Sequence, residues 1–319
     1  MQLNNLKVFY NYFANNEINF NNLSLALGFF DGVHLGHKKV IENCVKNAKE
    51  NNLKSGLITF TNHPKCLINN IEPKYILDFK SRLKHIEKLN VDYCFVYNFD
   101  EKFLNLDYYQ YIQNILINNF HPKFITTGFN HYFGKNREGT PEKLEKYEKQ
   151  FGYTYNKIEP YILEDEVVSS SLIRQKLTLG EVEKANKMLS YNFYIEEKVI
   201  EGNKLGRTIN FPTANFLYNK NIIQIPYGVY FVKVTVENKT YFGVLNFGIK
   251  PTIENSNHSP LCEVHILNFN QYIYNQKIKV EFIKKIRDEK KFDSIQDLKK
   301  QIALDVNKCL SNIKQCKNC

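Results

Sequence analysis

The sequence predicts two domains of different class: an α/β domain with a doubly wound parallel sheet, then an antiparallel β-barrel with a terminal helix. Three observations support this division. In the first half of the chain, short apolar runs alternate with amphipathic helical stretches. From about residue 190, longer stretches alternate apolar and polar residues at every second position. Near the end, apolar residues recur at helical spacing. We therefore predict domains over residues 1–188 and 189–319.

In the first domain, helical stretches follow the strand-like runs. The predicted strands are LSLALG, GLITF, DYCFVYNF, KFITTG and YTYNKIEPYI. The first predicted helix has an apolar stripe formed by Val40, Ile41, Cys44, Val45 and Ala48, and later helices are predicted at DFKSRLKHIEKL, LDYYQYIQNILINNF and PEKLEKYEKQF. This alternation predicts a mostly parallel sheet with helices on both faces and ligands at the carboxyl ends of its strands.

In the second domain, five longer strands are predicted with turn-forming residues between them. The strands are YNFYIEEKVI, YGVYFVKVTVE, KTYFGVLNFG, LCEVHIL and QKIKVEFIKKIR, and the turns include EGNK, ENK and IENSNHSP. The closing helix has an apolar stripe formed by Ile295, Leu298, Ile302, Val306 and Leu310. The pattern predicts an antiparallel, barrel-like unit with one helix against it.

Charge and cysteine content narrow the class of protein only partly. The net charge of +10 is compatible with nucleic acid, an anionic membrane surface or polyphosphate substrates. The seven cysteines are scattered, and the terminal pair Cys316 and Cys319 lacks the second pair that a closed zinc site needs. Reduced thiols in a cytoplasm fit best. No apolar stretch approaches the ~20 residues of a membrane-spanning helix.

The stretch GFFDGVHLGH directly follows the first predicted strand. A chain that leaves a strand at Gly28, passes Asp31 and enters a helix near Gly36 exposes backbone N–H groups at the positive end of a helix dipole. His34 and His37 are three positions apart, so both imidazoles are expected to donate hydrogen bonds to phosphoryl oxygens in one pocket. The pattern favours nucleotidyl transfer. A chance histidine pair beside an ordinary Asp-Gly turn is the alternative.

The stretch VVSSSLIRQKL, near the end of the same domain, predicts a second anion site. Ser169, Ser170 and Ser171 stand at a predicted helix start, where hydroxyls and backbone N–H groups are available. Arg174 adds a guanidinium group that can bind phosphate through two donors. Helix capping alone is the alternative for the serines. Two anion sites in one domain strengthen the phosphate interpretation.

The stretch GNKLGRTINFPTANF carries the main signal of the second domain. Gly202, Gly206 and Arg207 indicate a flexible anion-binding turn. A rigid proline then precedes two oxygen ligands, Thr213 and Asn215. Hard oxygen donors together with substrate phosphates are the usual way in which proteins hold Mg²⁺. A plain turn at a strand edge is the alternative.

Glu263 lies between apolar neighbours on the predicted strand LCEVHIL. A buried carboxylate that faces a ligand could accept the proton of a hydroxyl attacking a γ-phosphate. A solvent-facing strand glutamate is the alternative, and the residues on their own favour that alternative.

Taken together, these motifs resemble those of the bacterial bifunctional riboflavin kinase/FMN adenylyltransferases, over roughly residues 8–310 and in the family's order. FDGVHLGH resembles the H-x-G-H signature of the nucleotidyltransferases. VVSSSLIRQKL resembles their second signature, which implies that Ser170, Ser171 and Arg174 contact the phosphates of ATP. GFNHYFGKNREG resembles a family insertion, which implies flavin or nucleotide contacts from Asn130, Phe133 and Gly134. His63, in ITFTNHP, is a weaker candidate of the same kind.

In the second domain, GRTINFPTANF resembles the ATP–Mg²⁺ loop of riboflavin kinases. The resemblance implies phosphate contacts from Gly206 and Arg207 and magnesium ligation by Thr213 and Asn215. The stretch LCEVHIL also resembles a riboflavin kinase motif, and this resemblance implies that Glu263 is the catalytic base. IRDEKKFDS implies that Arg287 contacts the flavin or the nucleotide.

Two departures from the family pattern bear on the site. Phe29 stands where the family more often has a small or polar residue, so its ring could crowd the nucleotide pocket. Asn210 replaces a common glycine, which is a milder change because asparagine tolerates positive φ better than most residues.

The predicted function is that of a cytoplasmic enzyme that phosphorylates riboflavin to FMN in its barrel and adenylylates FMN to FAD in its α/β domain. Its expected partners are riboflavin, FMN and ATP, with Mg²⁺, and neither nucleic acid nor a membrane. The oligomeric state stays open. One alternative is a riboflavin kinase whose first domain has drifted because of Phe29. The other is a basic barrel that binds RNA through its many aromatic residues.

Overall fold

The computed structural model describes residues 5–13, 20–69, 74–202, 205–249 and 260–317. The chain forms two compact units, Met1–Ser170 and Ser171–Cys319. The predicted turn IENSNHSP and the terminal Cys319 fall mainly or wholly outside the described residues. The domain boundary between residues 188 and 189 stays a prediction.

The first unit is built on a six-stranded sheet in which every neighbouring pair of strands is parallel. Its strand order is β1-β4-β3-β2-β5-β6. The strands are β1 Lys7–Tyr10, β2 Ser24–Leu27, β3 Ser55–Phe60, β4 Tyr93–Tyr97, β5 Phe124–Gly128 and β6 Thr154–Ile158. The prediction of a parallel sheet is confirmed, with β1 as an additional edge strand that the sequence analysis did not foresee.

Helices cover both faces of this sheet, as predicted. They are α1 Leu35–Glu50, α2 Pro64–Asn69, α3 Phe79–Glu87, α4 Glu101–Asn105, α5 Tyr108–Gln110, α6 Asn118–Phe120, α7 Pro141–Lys146 and α8 Glu148–Phe151, with a π-helical stretch at Tyr111–Ile117 between α5 and α6. Cys44 of α1 and Ile86 of α3 pack with Ala26 and Leu57 on one face. Ile112 and Phe120 pack with Leu25 and Ile125 on the other.

The strand order reverses direction between β2 and β5. From β2 the chain builds outward through β3 and β4 on one side, and through β5 and β6 on the other. In sheets of this kind, ligands bind outside the carboxyl ends of the strands at that switch point. The GFFDGVHLGH stretch follows β2, and GFNHYFGKNREG begins at the last residue of β5. Topology therefore brings these two predicted site segments to the same crevice.

The second unit is a six-stranded antiparallel sheet in the order β10-β13-β12-β11-β14-β9. Its strands are β9 Tyr194–Lys198, β10 Ala214–Leu217, β11 Gly228–Val236, β12 Lys239–Gly248, β13 Leu261–Ile266 and β14 Lys277–Asp288. A bridge between Ile200 and Asn215 joins the two edges, with the Ile200 N–H donating to the Asn215 carbonyl at 2.7 Å. The sheet is therefore a nearly closed barrel, as predicted.

The remaining elements are a small hairpin in the first unit, β7 Ile162–Leu163 with β8 Glu166–Val167, and the helices α9 Ser170–Thr178, α10 Val182–Leu189, α11 Leu205–Thr208 and α12 Ile295–Lys317. The predicted terminal helix is α12. Its Cys309 and Val306 pack on Val229, Phe231 and Val244 of the barrel. Among the residues that the structure describes, no helix is both long and apolar enough to cross a membrane.

Candidate active sites

The segment between β2 and α1 makes a tight turn with an unusual backbone. Phe30 has φ 58°, Gly32 has φ 77° and Val33 has φ 38°. Positive φ at a β-branched residue costs about 1–3 kcal/mol and persists only where the surroundings enforce it. Strain of this kind is concentrated at functional sites. Here the turn places His34 at the N-cap of α1.

The two predicted histidines lie against each other at the start of α1. Their ring centroids are 3.6 Å apart with an interplanar angle of 19°. His34 is the N-cap of α1, and its Nδ1 accepts a hydrogen bond from the backbone N–H of His37 at 3.3 Å. Because Nδ1 is an acceptor, the neutral His34 ring carries its proton on Nε2. Nε2 is therefore the ring atom of His34 that can donate to a ligand.

Two glycines of this stretch are required because aromatic rings of neighbouring residues lie close to their Cα atoms, and not for phosphate binding alone. A Cβ on Gly36 would come within 3.2 Å of the His34 ring, so a larger residue would displace the imidazole. A Cβ on Gly28 would come within 2.8 Å of the Phe30 ring. The H-x-G-H spacing thus has a steric reason, because the glycine leaves room for the imidazole that precedes it.

Asp31 holds the turn in place through its carboxylate. This side chain is 2 % exposed and accepts hydrogen bonds from the backbone N–H groups of Ile76 and Leu77 at 3.1–3.2 Å. The Asp31 carbonyl accepts a further bond from the Ser170 hydroxyl at 3.0 Å. These bonds give Asp31 a positioning role. Direct contact with ATP phosphates stays a prediction, and like-charge repulsion disfavours it for the carboxylate.

Ser170 is the first residue of α9, so the two predicted anion-binding stretches meet through this hydroxyl bond to Asp31. Ser171 and Arg174 lie further along α9, in the second unit. Their contacts with ATP stay a prediction.

Phe29 packs into a cluster at the ends of β2 and β3. Its ring lies 5.8 Å from Tyr75 in a stacked arrangement and 4.6 Å from His63 in an edge arrangement. The guanidinium carbon of Arg82 lies 4.2 Å from the Phe29 ring centroid. The Phe29 ring is thus held on several sides by side chains of the same unit, and His63 belongs to this cluster.

Arg82, on α3, is a site-supporting residue that the sequence analysis missed. It is 2 % exposed, and its guanidinium donates to the carbonyls of Phe29 and Phe60, one beyond the end of β2 and one at the end of β3. Burial lowers the pKa of Arg82, and the nearby Asp31 carboxylate opposes that shift. A cation buried at this depth ties the two strand ends together immediately before the histidine turn.

We expect Arg82→Leu to lower the free energy of unfolding of the first unit by about 1–3 kcal/mol, because the Phe60 carbonyl loses this donor and the Phe29 carbonyl keeps only the hydrogen bond from the Thr59 hydroxyl. FAD formation should fall with it, whereas FMN formation in the barrel should be unaffected. Urea unfolding and separate assays of the two products measure this. Arg82→Lys is the matched control, since it keeps the charge and one donor. Equal loss of both activities would contradict the assignment of Arg82 to the first site.

The insertion after β5 forms a short hairpin in which Phe133 and Gly139 exchange two backbone hydrogen bonds. Asn130 is exposed at its start. Phe133 is 7 % exposed and packs against Tyr111 of the core at 4.9 Å. Gly134 has φ 71°, and a Cβ there would come within 2.8 Å of the Tyr108 backbone nitrogen. Of the three predicted flavin contacts, Phe133 and Gly134 thus have evident structural roles, and flavin binding by all three stays a prediction.

His131 in this hairpin is expected to make the first unit sensitive to acid. Its ring stacks on Phe133 at 5.7 Å, and burial lowers its pKa to about 4. An unfolded histidine has a pKa of about 6.5, so the unfolded state binds more protons below that pH. Stability should therefore fall by roughly 2–3 kcal/mol as the pH drops from 7 toward 4. Urea unfolding of His131→Phe, which cannot titrate, should show a smaller decline over this range, and an unchanged decline would contradict the assignment.

In the barrel, strand register aligns the predicted catalytic residues in one row. Asn215 on β10 pairs with Glu263 on β13, and Glu263 pairs with Asn246 on β12. The row continues through Val229 on β11 to Arg287 on β14. Paired residues in a sheet project from the same face. All five residues line one cavity of about 330 Å³, which we call the smaller cavity. Asn246 was not foreseen as part of this site.

A second cavity of about 590 Å³, the larger cavity, lies beside it. Its wall includes apolar and aromatic side chains from β10, β13 and the segment before β14, among them Ala214, Val264, Phe269, Tyr272 and Tyr274. Thr213 lines both cavities. The predicted metal ligand therefore contributes to the lining of both cavities.

The loop before β10 fits the predicted magnesium ligands. Asn215 is 4 % exposed, and within the described part of the chain its Oδ1 atom is buried without a hydrogen-bond partner. A Cβ on Gly202 would come within 2.5 Å of the Asn215 amide, so this glycine permits the close approach. A buried amide oxygen and a threonine hydroxyl that line one cavity are the kind of neutral oxygen set that holds Mg²⁺ together with substrate phosphates.

The turn that precedes Thr213 is compact. Gly206 lies in α11, and its carbonyl accepts a hydrogen bond from the Phe211 N–H at 2.7 Å. Arg207 follows in α11, and its side chain lies outside the described part of the structure. Asn210 has φ 66°, the conformation in which glycine is favoured. Phosphate contacts from Gly206 and Arg207 stay predictions.

Arg287, predicted to contact the flavin or the nucleotide, is paired with a residue of α12. Its Nε and Nη2 atoms donate to the carboxylate of Asp305 at 2.9–3.2 Å, and Asp305 is 1 % exposed. Gln301 donates a further bond to the same carboxylate at 3.0 Å. These bonds fasten α12 to β14 and shape the wall of the smaller cavity. The ligand contact of Arg287 stays a prediction.

Comparison with known proteins assigns both units. A family described as FAD synthetase matches residues 17–172, and a family described as riboflavin kinase matches residues 189–313. The bifunctional riboflavin kinase/FMN adenylyltransferases of Buchnera aphidicola (Schizaphis graminum) and Bacillus subtilis are each 39% identical, over 89% and 88% of this chain and 92% and 89% of their own. The chain belongs to the bifunctional riboflavin kinase/FMN adenylyltransferase family. It contains an FAD synthetase domain and a riboflavin kinase domain.

A solved structure from Streptococcus pneumoniae, titled a macrolide-efflux protein, matches with a TM-score of 0.84 and 28% identity over 94% of this chain and 97% of its own. The histidine turn lies in the part matched by the FAD synthetase family, and the Asn215–Glu263–Asn246 row lies in the part matched by the riboflavin kinase family. The two sites therefore lie in the parts of the chain that two different families match.

Proposed function

We propose that the barrel transfers the γ-phosphoryl group of ATP to the 5′-hydroxyl of riboflavin. The observation that carries this proposal is the row Asn215–Glu263–Asn246, which aligns a carboxylate with the amide predicted to bind the metal in one cavity. Riboflavin binds in the smaller cavity, and its 5′-oxygen attacks the γ-phosphorus while Glu263 accepts the hydroxyl proton. The P–O bond to ADP breaks, and FMN and ADP are released.

The nucleotide belongs in the larger cavity. Phe269, Tyr272 and Tyr274 supply aromatic faces for a base, and Thr213 lines both this cavity and the proposed flavin cavity. Thr213 and Asn215 would hold Mg²⁺, which neutralises developing charge on the phosphates when bound. The neutral ligand set supports this assignment, because ATP itself brings the negative charge that the ion requires.

In the first domain, we propose that FMN attacks the α-phosphorus of a second ATP. A phosphate oxygen of FMN forms the new P–O–P bond, the bond to pyrophosphate breaks, and FAD is released. His34 and His37 donate hydrogen bonds to the charge that develops on the α-phosphate, and the N-terminus of α1 adds its dipole. Ser170 and Arg174 steady the triphosphate. The stacked histidines at the switch point of the sheet support these roles.

Product chromatography after incubation with riboflavin, ATP and Mg²⁺ tests the proposal. We expect FMN to form first and FAD to follow. FMN alone would favour the alternative in which Phe29 has disabled the first domain. If neither FMN nor FAD forms, the enzymatic proposal is contradicted and the RNA-binding alternative is favoured. A salt titration of any RNA affinity then decides, because phosphate-dominated binding weakens steeply with salt. The cytoplasmic location stays a prediction.

A further inference from the structure

His265 connects the strand of the proposed base to the loop of the proposed metal site. It lies on β13, two residues after Glu263. Its Nδ1 atom is 2.8 Å from the carbonyl oxygen of Pro212, the residue before Thr213. A carbonyl oxygen can only accept, so the imidazole must carry a proton on Nδ1 and donate it. The bond is therefore directional and fixes the ring.

Strand register places His265 opposite Thr213. Ala214 pairs with Val264 and Asn215 pairs with Glu263, and continuing this register by one residue puts Thr213 across from His265. Side chains two positions apart on a strand share a face. Accordingly, Thr213, Asn215, Glu263 and His265 all line the smaller cavity. His265 therefore lies opposite Thr213 across the two strands, just as Glu263 lies opposite Asn215.

The same imidazole also restrains the start of the loop. The ring of Phe211 meets it edge-on, with centroids 5.3 Å apart and planes at 83°. The N–H of Phe211 in turn donates to the carbonyl of Gly206 at 2.7 Å. Both residues that lead into Thr213 are thus held by His265, and one of them is bonded to the predicted phosphate turn.

We infer that His265 is a positioning residue for phosphoryl transfer, an inference that rests on the kinase function proposed above. Its Nδ1–H holds the Pro212 carbonyl, and this sets the Thr213 hydroxyl and the Gly206 turn at a fixed distance from Glu263. A nucleotide and magnesium ion bound by this loop would thereby be held at a fixed distance from the base. Without this hydrogen bond the loop is no longer attached to β13. The affinity for the nucleotide should therefore fall, independently of the chemical step.

The test compares His265→Ala with His265→Asn. The amide nitrogen of asparagine can replace Nδ1 as donor to the Pro212 carbonyl, whereas alanine cannot. Calorimetric titration with ADP and Mg²⁺, without riboflavin, measures the loop directly. We expect His265→Ala to bind about tenfold more weakly, the order of one hydrogen bond, and His265→Asn to recover most of the affinity. In kinetics, the KM for ATP should rise in His265→Ala, and the KM for riboflavin should stay within about twofold.

Adenylylation of supplied FMN by the same preparations controls for folding and concentration, because it belongs to the other domain. Wild-type ADP affinity in His265→Ala would overturn the inference. So would an asparagine variant as weak as alanine, because the donor would then not be the relevant property. If the unchanged protein failed to phosphorylate riboflavin, the proposed kinase function would fail, and the ADP titration would still decide the role of His265 in nucleotide binding.

Discussion

Replacing Glu263 by glutamine is expected to lower the kcat of riboflavin phosphorylation by about 10²–10⁴-fold, the usual contribution of a general base. Glutamine has nearly the same shape and keeps an oxygen in the row between Asn215 and Asn246, so the cavity should be preserved. It cannot accept the proton of the attacking hydroxyl at neutral pH. Steady-state assays of FMN formation at saturating ATP and riboflavin measure the change.

The control for Glu263→Gln is Glu281→Gln, another half-buried carboxylate of the barrel. Glu281 lies on β14, forms an ion pair with Lys279 at 3.3 Å and lines neither cavity described above. Its replacement should leave kcat within about twofold, because Glu281 lines neither cavity. ADP affinity should be unchanged in both variants. Near-normal turnover in Glu263→Gln would show that another group takes the proton.

The histidine turn could be predicted because its signals are local. The stretch GFFDGVHLGH contains all of them: the end of the strand, the glycines, the start of the helix and the spacing of His34 and His37. The parallel sheet followed from alternation along the chain for the same reason. The strand β1 was missed because it pairs with β4, more than 80 residues away, and its four residues carry little pattern of their own. The strand β10 was missed because its start looks like part of the preceding loop.

Most features that could not be predicted depend on contacts between residues that are far apart in sequence. The Asp31 carboxylate binds backbone N–H groups more than 40 residues away, so an acidic residue beside a predicted phosphate site turned out to hold the turn. Arg82 did carry a signal. With Phe79, Leu83 and Ile86 it occupies helical positions that should all be apolar, and a cation in such a stripe indicates a buried partner.

The pairing register between neighbouring strands is the other feature that could not be predicted from the sequence. Glu263 was identified by its motif, but the alternating pattern of β12 did not show that Asn246 is its neighbour. Pairing one residue further along would have turned the whole set of side chains to the opposite face. Only the observed pairing of β12 with β13 makes Asn246 part of the candidate site and places His265 across from Thr213.

Replacing His34 is expected to have the other large effect. Loss of one preorganised donor to a developing oxyanion typically lowers kcat by about 10²–10³-fold. His34→Ala should therefore nearly abolish FAD formation from FMN and ATP, with FMN formation from riboflavin intact. Alanine, however, also removes the N-cap of α1, where Nδ1 of His34 accepts the His37 N–H. A lost cap alone costs about 1 kcal/mol of stability.

His34→Asn separates these two roles. Asparagine is among the best N-cap residues, so α1 and the unfolding free energy of the first unit should be retained. Its side chain lacks the second ring nitrogen that we propose donates to the phosphate, so FAD formation should stay as low as in His34→Ala. If His34→Asn instead restored FAD formation, His34 would act only as a cap and charge stabilisation would fall to His37. If either variant abolished FMN formation in folded protein, the assignment of one reaction to each domain would be wrong.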